Sequence, residues 1–167
     1  GAPSIDEPLG WRDRALLELG YGAGLRVSEL CGLDLGDLDL SARTARVLGK
    51  GNKQRIVPLS IEGRRVLSNY LEVRPPVECG AVFIGERGPL GYAGLRAICS
   101  KYAAITGVSF TPHTLRHTFA RRFLEQTSND LVGLAQLLGH ESLNTTSIYT
   151  QRSQDALQAG INGLRYE

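Results

Sequence analysis

Tyr149 follows His140 by nine residues in the segment Gly-His-Glu-Ser-Leu-Asn-Thr-Thr-Ser-Ile-Tyr-Thr. Upstream, Thr-Pro-His-Thr-Leu-Arg-His supplies His113, Arg116 and His117, and Gly-Leu-Arg-Val-Ser-Glu-Leu supplies Arg26 and Glu29. A tyrosine hydroxyl is a poor nucleophile near neutral pH, because its reference pKa is about 10. Arginines and histidines gathered beside it would favour the phenolate and hold an anionic substrate. The chemistry these residue types imply is attack on a phosphate ester.

Each element also has a plainer reading. In a helix starting near Pro112, His113, Arg116 and His117 fall at i, i+3 and i+4 on one face. There the free backbone amides and the helix dipole favour an anion. Taken alone, such a face equally describes a charged surface helix with hydrogen-bonded structural histidines. Leu115, Phe119 and Phe123 form a separate apolar stripe that can anchor the helix. His113, His117 and His140 are the only histidines, which raises zinc ligation. However, Thr114 stands where a metalloprotease glutamate would, and Arg116 would set a positive charge beside the cation. The expectation is no metal and no cofactor.

Arg26 and Glu29 are i, i+3 neighbours, either a surface ion pair or a phosphate-binding arginine whose guanidinium plane its own carboxylate fixes. Lys50 lies in Gly-Lys-Gly-Asn-Lys, an ordinary hairpin tip without P-loop spacing. On a mobile tip it could still protonate a leaving oxygen. Tyr149 by itself reads as a packed aromatic. The joint pattern is what raises it.

These residues need elements to position them. The pattern predicts a helix over 10–23 ended by Gly22 and Gly24, and a short helix from Arg26 to Leu33. The stretch 37–59 reads as three short strands, the last two joined by Gly49-Lys50-Gly51-Asn52. Ser60 caps a helix to Val73, closed by Pro75-Pro76. An extended segment over 81–90 precedes a helix over 91–106. Thr111-Pro112 is a helix start, a capping hydroxyl followed by proline, and that helix runs to Gln126. A helix over 130–138 ends at Gly139, and shorter helical pieces carry Tyr149 and residues 153–160. The expected fold is mainly α with a small antiparallel three-stranded sheet, an α+β domain.

At 167 residues and 42% hydrophobic the chain can bury a real core, which excludes a disordered polypeptide. No apolar run approaches a membrane span. Three widely spaced cysteines form neither a zinc pair nor a disulfide framework, which points to a reducing cytosol. The net charge of +2 says little about nucleic acid, but its distribution says more. Arg43, Arg46, Lys50, Lys53 and Arg55 lie within thirteen residues, and Arg116, Arg121 and Arg122 share another segment. Gly1 in place of Met, with no Met anywhere, predicts a piece of a longer protein.

From Leu9 to Thr150 the chain resembles the tyrosine recombinase (phage-integrase-like) family, and its Xer-like bacterial members in particular. The resemblance rests on Gly24-Leu25-Arg26-Val27-Ser28-Glu29-Leu30, Gly49-Lys50-Gly51-Asn52-Lys53, His113-Thr114-Leu115-Arg116-His117, Leu138-Gly139-His140 and Ile148-Tyr149-Thr150. It implies the recombinase catalytic-domain fold over 9–150, with 1–8 a linker or a remnant. Tyr149 would then form a 3′-phosphotyrosyl link, Arg26 and Arg116 would clamp the phosphate, and Lys50 would be the general acid, with Lys53 its rival. His113 would assist proton transfer and His140 would hydrogen-bond the phosphate. Glu29 would orient the arginines, and His117 would pack behind them. Arg43, Lys53, Arg55 and Arg121 are the expected DNA-contacting cations.

The resemblance further implies double-stranded DNA as substrate and a tetramer of protomers on it. It also implies a separate N-terminal DNA-binding domain and a bacterial or phage-encoded protein of the cytoplasm. The tail 151–167, with Leu157 and Ile161 at i and i+4, would pack on a neighbouring protomer. Two other functions compete: a non-catalytic DNA-binding accessory domain of the same fold, and a topoisomerase-like enzyme using the same nucleophile.

Overall fold

The computed structural model of the chain describes residues 8–139 and Ile161. The helix-start and helix-stop signals of the sequence set most element boundaries. Pro8, which fits a first helical turn because its missing N–H would be unpaired there, opens α1 (Pro8–Gly22), two residues before the expected start. A four-residue link, Ala23 to Arg26, leads to α2 (Val27–Cys31), for which Arg26 is the N-cap. Three strands come next: β1 (Leu38–Asp39), β2 (Thr44–Leu48) and β3 (Gln54–Pro58). They form an antiparallel sheet in the order β1-β2-β3. The β2–β3 connection turns sharply over Lys50–Asn52, where Gly51 (φ 71°) and Asn52 (φ 60°) both lie in the left-handed region.

Ser60 Oγ accepts from the Gly63 amide at 2.9 Å and starts α3 (Ile61–Val73) as expected. The extended segment expected over 81–90 proves to be a small hairpin, β4 (Ile84–Gly85) paired with β5 (Gly88–Pro89). Helix α4 (Tyr92–Thr106) follows. Thr111 then caps α5 (Pro112–Gln126), its Oγ1 accepting from the Thr114 amide at 3.2 Å. Asp130 caps α6 (Leu131–Leu138), which ends at Gly139 in the left-handed region, φ 72°. The described chain is thus mainly helical around a small three-stranded antiparallel sheet, and no described helix is long and apolar enough to cross a membrane.

Burial follows the periodicities. Ala45 and Val47 on β2 and Val57 on β3 face inward, beneath Leu16 and Leu19 of α1 and Val66, Leu67 and Tyr70 of α3. Helix α1 packs against both α3 and α5. A smaller apolar cluster joins α5 to α6 through Ala120, Leu124, Leu134 and Leu138, with Phe119 and Phe123 against it. Of the expected stripe, Phe119 and Phe123 pack against this cluster while Leu115 lies outside it, and the buried α5 positions of the cluster are Ala120 and Leu124. Burial pushes the Cys99 thiol up to about 11, and Cys31, Cys79 and Cys99 are all unpaired with one another.

One buried polar network had no sequence signal. Arg12 donates twice to Asp13 Oδ1, at 2.9 and 2.7 Å, and once to the Ile84 carbonyl at 3.1 Å. Tyr102 of α4 donates to Asp13 Oδ2 at 2.9 Å. Buried charges need partners of this kind, and here they tie α1 to α4 and to the β4 strand.

Candidate active site

Glu29 is the centre of the site. Its side chain is fully shielded from solvent, so its carboxylate must find every partner inside the protein. At the third position of α2 it reaches back and accepts from the Arg26 amide, Oε1 at 2.8 Å, as a capping-box glutamate does. Arg55 grips the same carboxylate with both terminal nitrogens, Nη1 on Oε2 and Nη2 on Oε1, the latter at 3.1 Å. Arg116 approaches Oε1 from α5 at 3.8 Å. The expected side-chain pair between Arg26 and Glu29 is therefore corrected. Glu29 holds the Arg26 backbone, while its charge is met by Arg55 and Arg116.

Arg116 is only 5% exposed. Its Nη1 donates to the Gly24 carbonyl at 2.6 Å and its Nη2 to the Leu138 carbonyl at 3.2 Å. The plane of the guanidinium is thereby fixed between the turn before Arg26 and the end of α6. Leu138 O is one of the final helix carbonyls that lack a partner within the helix, so a cation there also meets the negative end of the dipole. Gly24 is in the left-handed region, φ 71°, and a methyl group on it would lie 2.7 Å from Phe119 Cε1 and 3.0 Å from Leu138 Cδ2. Gly24→Ala is expected to cost about 3 kcal/mol, combining left-handed strain with overpacking. The melting temperature should then drop by roughly 8 °C, and a melt within 2 °C of the parent would contradict this reading of the turn.

The other expected residues are placed unequally. Arg26 is half-buried at the start of α2, and among the described residues no hydrogen bond or ion pair holds its guanidinium. Lys50 is exposed on the β2–β3 turn. The base of that turn touches the network, since a methyl group at Gly49 would lie 3.3 Å from Arg55 Nη1 and 3.6 Å from Glu29 Oε2. His113 is exposed in the first turn of α5, and His117 is half-buried one turn further on. His140, Tyr149 and Leu157 lie outside the described residues. Helix α6 ends at Leu138, two residues before His140.

Of the expected DNA-contacting cations, Lys53 is exposed beside the Lys50 turn. Arg43 is exposed at the opposite end of β2, which at about 3.3 Å per residue lies roughly 17 Å away. Arg121 is exposed five residues beyond Arg116, about 140° around α5, and so does not share its face. Arg55 departs from expectation. Instead of projecting to solvent it points inward, with its Nε donating to the Leu137 carbonyl at 2.8 Å and its fork on Glu29. Strand register accounts for this, because Arg55 stands opposite buried Val47 and two residues from buried Val57.

Four segments thus converge on one buried carboxylate: the Gly24–Arg26 turn, the β2–β3 hairpin, α5, and the end of α6. The arrangement gathers positive charge where an anion can be held, with a lysine on an adjoining turn.

Residues 2–155 match the phage integrase family, and the chain belongs to that family, the tyrosine recombinases. Among curated relatives, it is 43% identical over 165 residues to tyrosine recombinase XerC of Corynebacterium glutamicum, covering 96% of this chain and 53% of that one. It is 46% identical over 149 residues to tyrosine recombinase XerC of Actinobacillus pleuropneumoniae, covering 86% and 48%. The chain therefore spans about half the length of the curated relatives it matches. The fold superposes on the crystal structure of XerA recombinase with a TM-score of 0.82 at 32% identity, over 93% of this chain and 60% of that one. On XerH site-specific recombinase bound to its difH substrate, a pre-cleavage complex, the TM-score is 0.80 at 28% identity, over 98% and 51%.

Proposed function

We infer that this chain is the catalytic domain of a site-specific DNA recombinase, which cuts and rejoins DNA through a covalent bond to Tyr149. The observation that carries this reading is the Glu29-centred network. It brings the Arg26 turn, the Lys50 hairpin, Arg116 and the chain entering His140 together around one charged centre.

In the reaction, the Tyr149 Oη attacks the scissile phosphorus, and its proton passes to His113. The P–O5′ bond breaks, and the departing 5′-oxygen takes a proton from Lys50, leaving a 3′-phosphotyrosyl link. Phosphoryl transfer needs in-line positioning and charge compensation more than covalent help from the protein. Arg26 and Arg116 supply that compensation on the non-bridging oxygens, aided by a hydrogen bond from His140. A 5′-hydroxyl from a second strand then attacks the phosphotyrosine and reverses the steps, which is strand exchange without ATP. Charge compensation by guanidiniums requires no metal, so cleavage is expected to persist in EDTA.

The substrate is double-stranded DNA in the cytoplasm of a bacterial host, bound by several protomers at once, a tetramer in the complete assembly. The rest of the protein supplies an N-terminal DNA-binding domain, and the tail 151–167 packs on a neighbouring protomer. Lys53 and Arg43 contact the DNA backbone, with Arg121 on an outer face of α5.

The test is a duplex nicked beside its cleavage point, so that the short product diffuses away and the covalent complex accumulates. Parent protein should give a DNA–protein band on a denaturing gel, and Tyr149→Phe should give none. DNA binding with no adduct from the parent would favour an accessory domain. Relaxation of supercoiled DNA without joining of two partners would favour a topoisomerase.

A further inference from the structure

Arg55 has no part in the phosphoryl-transfer steps, yet all three nitrogens of its guanidinium are engaged within the site. We propose that Arg55 is a positioning residue for DNA cleavage, setting the arginine clamp and the end of α6 in one arrangement through Glu29. The proposal rests on the recombinase reading and adds a residue to it.

The guanidinium makes three contacts to two partners, the Glu29 carboxylate and a backbone carbonyl of α6. Both terminal nitrogens lie on the Glu29 carboxylate. That carboxylate in turn holds the amide of Arg26 and faces Arg116. The third nitrogen, Nε, donates to the Leu137 carbonyl at 2.8 Å. The next carbonyl, Leu138 O, is taken by Arg116. Two guanidiniums that share one carboxylate thus hold the last two carbonyls of α6, which ends two residues before His140 in the sequence.

The backbone around Arg55 is shaped to admit it. Gly139 is left-handed, φ 72°, and a methyl group there would lie 3.1 Å from both Arg55 Cδ and Nη1. Gly49, at the foot of the Lys50 turn, leaves 3.3 Å to the same Nη1. Arg55 therefore sits between the segment entering His140 and the segment carrying Lys50. Only a planar fork with a third donor on its stem can bind two carboxylate oxygens and a carbonyl at once; a lysine ammonium is a point charge. Reacting groups held loosely by even about 1 Å lose roughly 100-fold in rate.

The experiment uses the full chain on the nicked duplex, with single-turnover adduct formation at saturating DNA and DNA affinity measured separately. Arg55→Lys keeps the charge and loses the fork. The cleavage rate should drop on the order of 100-fold, with affinity within about 3-fold of the parent. Glu29→Gln should slow the parent strongly but add little to Arg55→Lys, since residues acting as one unit are not additive. If Arg55→Lys melts early, rates are compared below its unfolding onset. Arg55→Gln, which keeps a donor amide but neither the charge nor the fork, serves as the second variant and should be slow as well.

An Arg55→Lys rate within twofold of the parent would overturn the proposal. So would a loss confined to DNA affinity, which would make Arg55 a direct DNA contact, or fully multiplicative losses with Glu29→Gln. A parent that forms no adduct would sink the recombinase reading itself. An active parent whose rate survives Arg55→Lys sinks only the role of Arg55.

Discussion

Arg116→Ala is expected to abolish covalent DNA cleavage and to loosen the fold at the same time. The two effects have separate causes. Cleavage should fall by roughly 1,000-fold or more, the loss expected when a positioned charge on a developing oxyanion is removed. Stability should fall by about 3 kcal/mol, because the carbonyls of Gly24 and Leu138 lose their donor in a buried place. For a chain of this size that corresponds to roughly 10 °C in melting temperature. Arg116→Lys should recover part of the stability and little of the cleavage. A single ammonium cannot bridge two carbonyls in different elements and also clamp a phosphate. Melting followed by circular dichroism and adduct formation on the nicked duplex separate the two effects. A variant that melts like the parent would show that the Gly24 and Leu138 contacts do not hold the site.

Glu29→Ala should be at least as damaging to the fold. It leaves the Arg55 and Arg116 guanidiniums facing each other with no carboxylate between them, both largely buried. Removing one partner of a buried ion pair typically costs about 3–5 kcal/mol, and the Arg26 amide loses its cap as well. The melting temperature is expected to fall by roughly 10 °C or more. Cleavage should fall with it even at temperatures where the variant stays folded, because both arginines of the clamp depend on this carboxylate for their placement. An active, stable Glu29→Ala protein would mean that the network is incidental.

Much of this arrangement is legible in the sequence, and the gaps have physical reasons. Thr111-Pro112, Ser60 and Gly139 mark helix ends through local chemistry alone, so α3, α5 and the end of α6 fall where expected. The i, i+3 spacing of His113 and Arg116 places them along one helix side. It does not say that Arg116 is buried while His113 is exposed, because that depends on what α5 packs against. The Arg26–Glu29 spacing suggests a side-chain pair on a helix. Arg26, however, is the N-cap with an extended backbone, so its amide rather than its guanidinium meets the carboxylate.

Arg55 is the instructive miss. In Gln-Arg-Ile-Val-Pro-Leu both Ile56 and Val57 are apolar, so alternation alone does not choose the inward face. The pairing of Arg55 with Val47 and of Val57 with Ala45 makes the choice and turns a presumed surface cation into the partner of Glu29. The Arg12–Asp13–Tyr102 network is less legible still. Its closing hydrogen bond joins residues 89 positions apart, and no local pattern reports that.

The most direct measurement is the site and polarity of the covalent bond. The trapped complex would be digested with trypsin and nuclease and the modified peptide sequenced by mass spectrometry. The expected product is the peptide 123–152 carrying one nucleotide through its 3′-phosphate on Tyr149, present in EDTA and absent from Tyr149→Phe. A link to any other side chain, or a 5′-phosphate on Tyr149, would contradict the proposed chemistry at its centre.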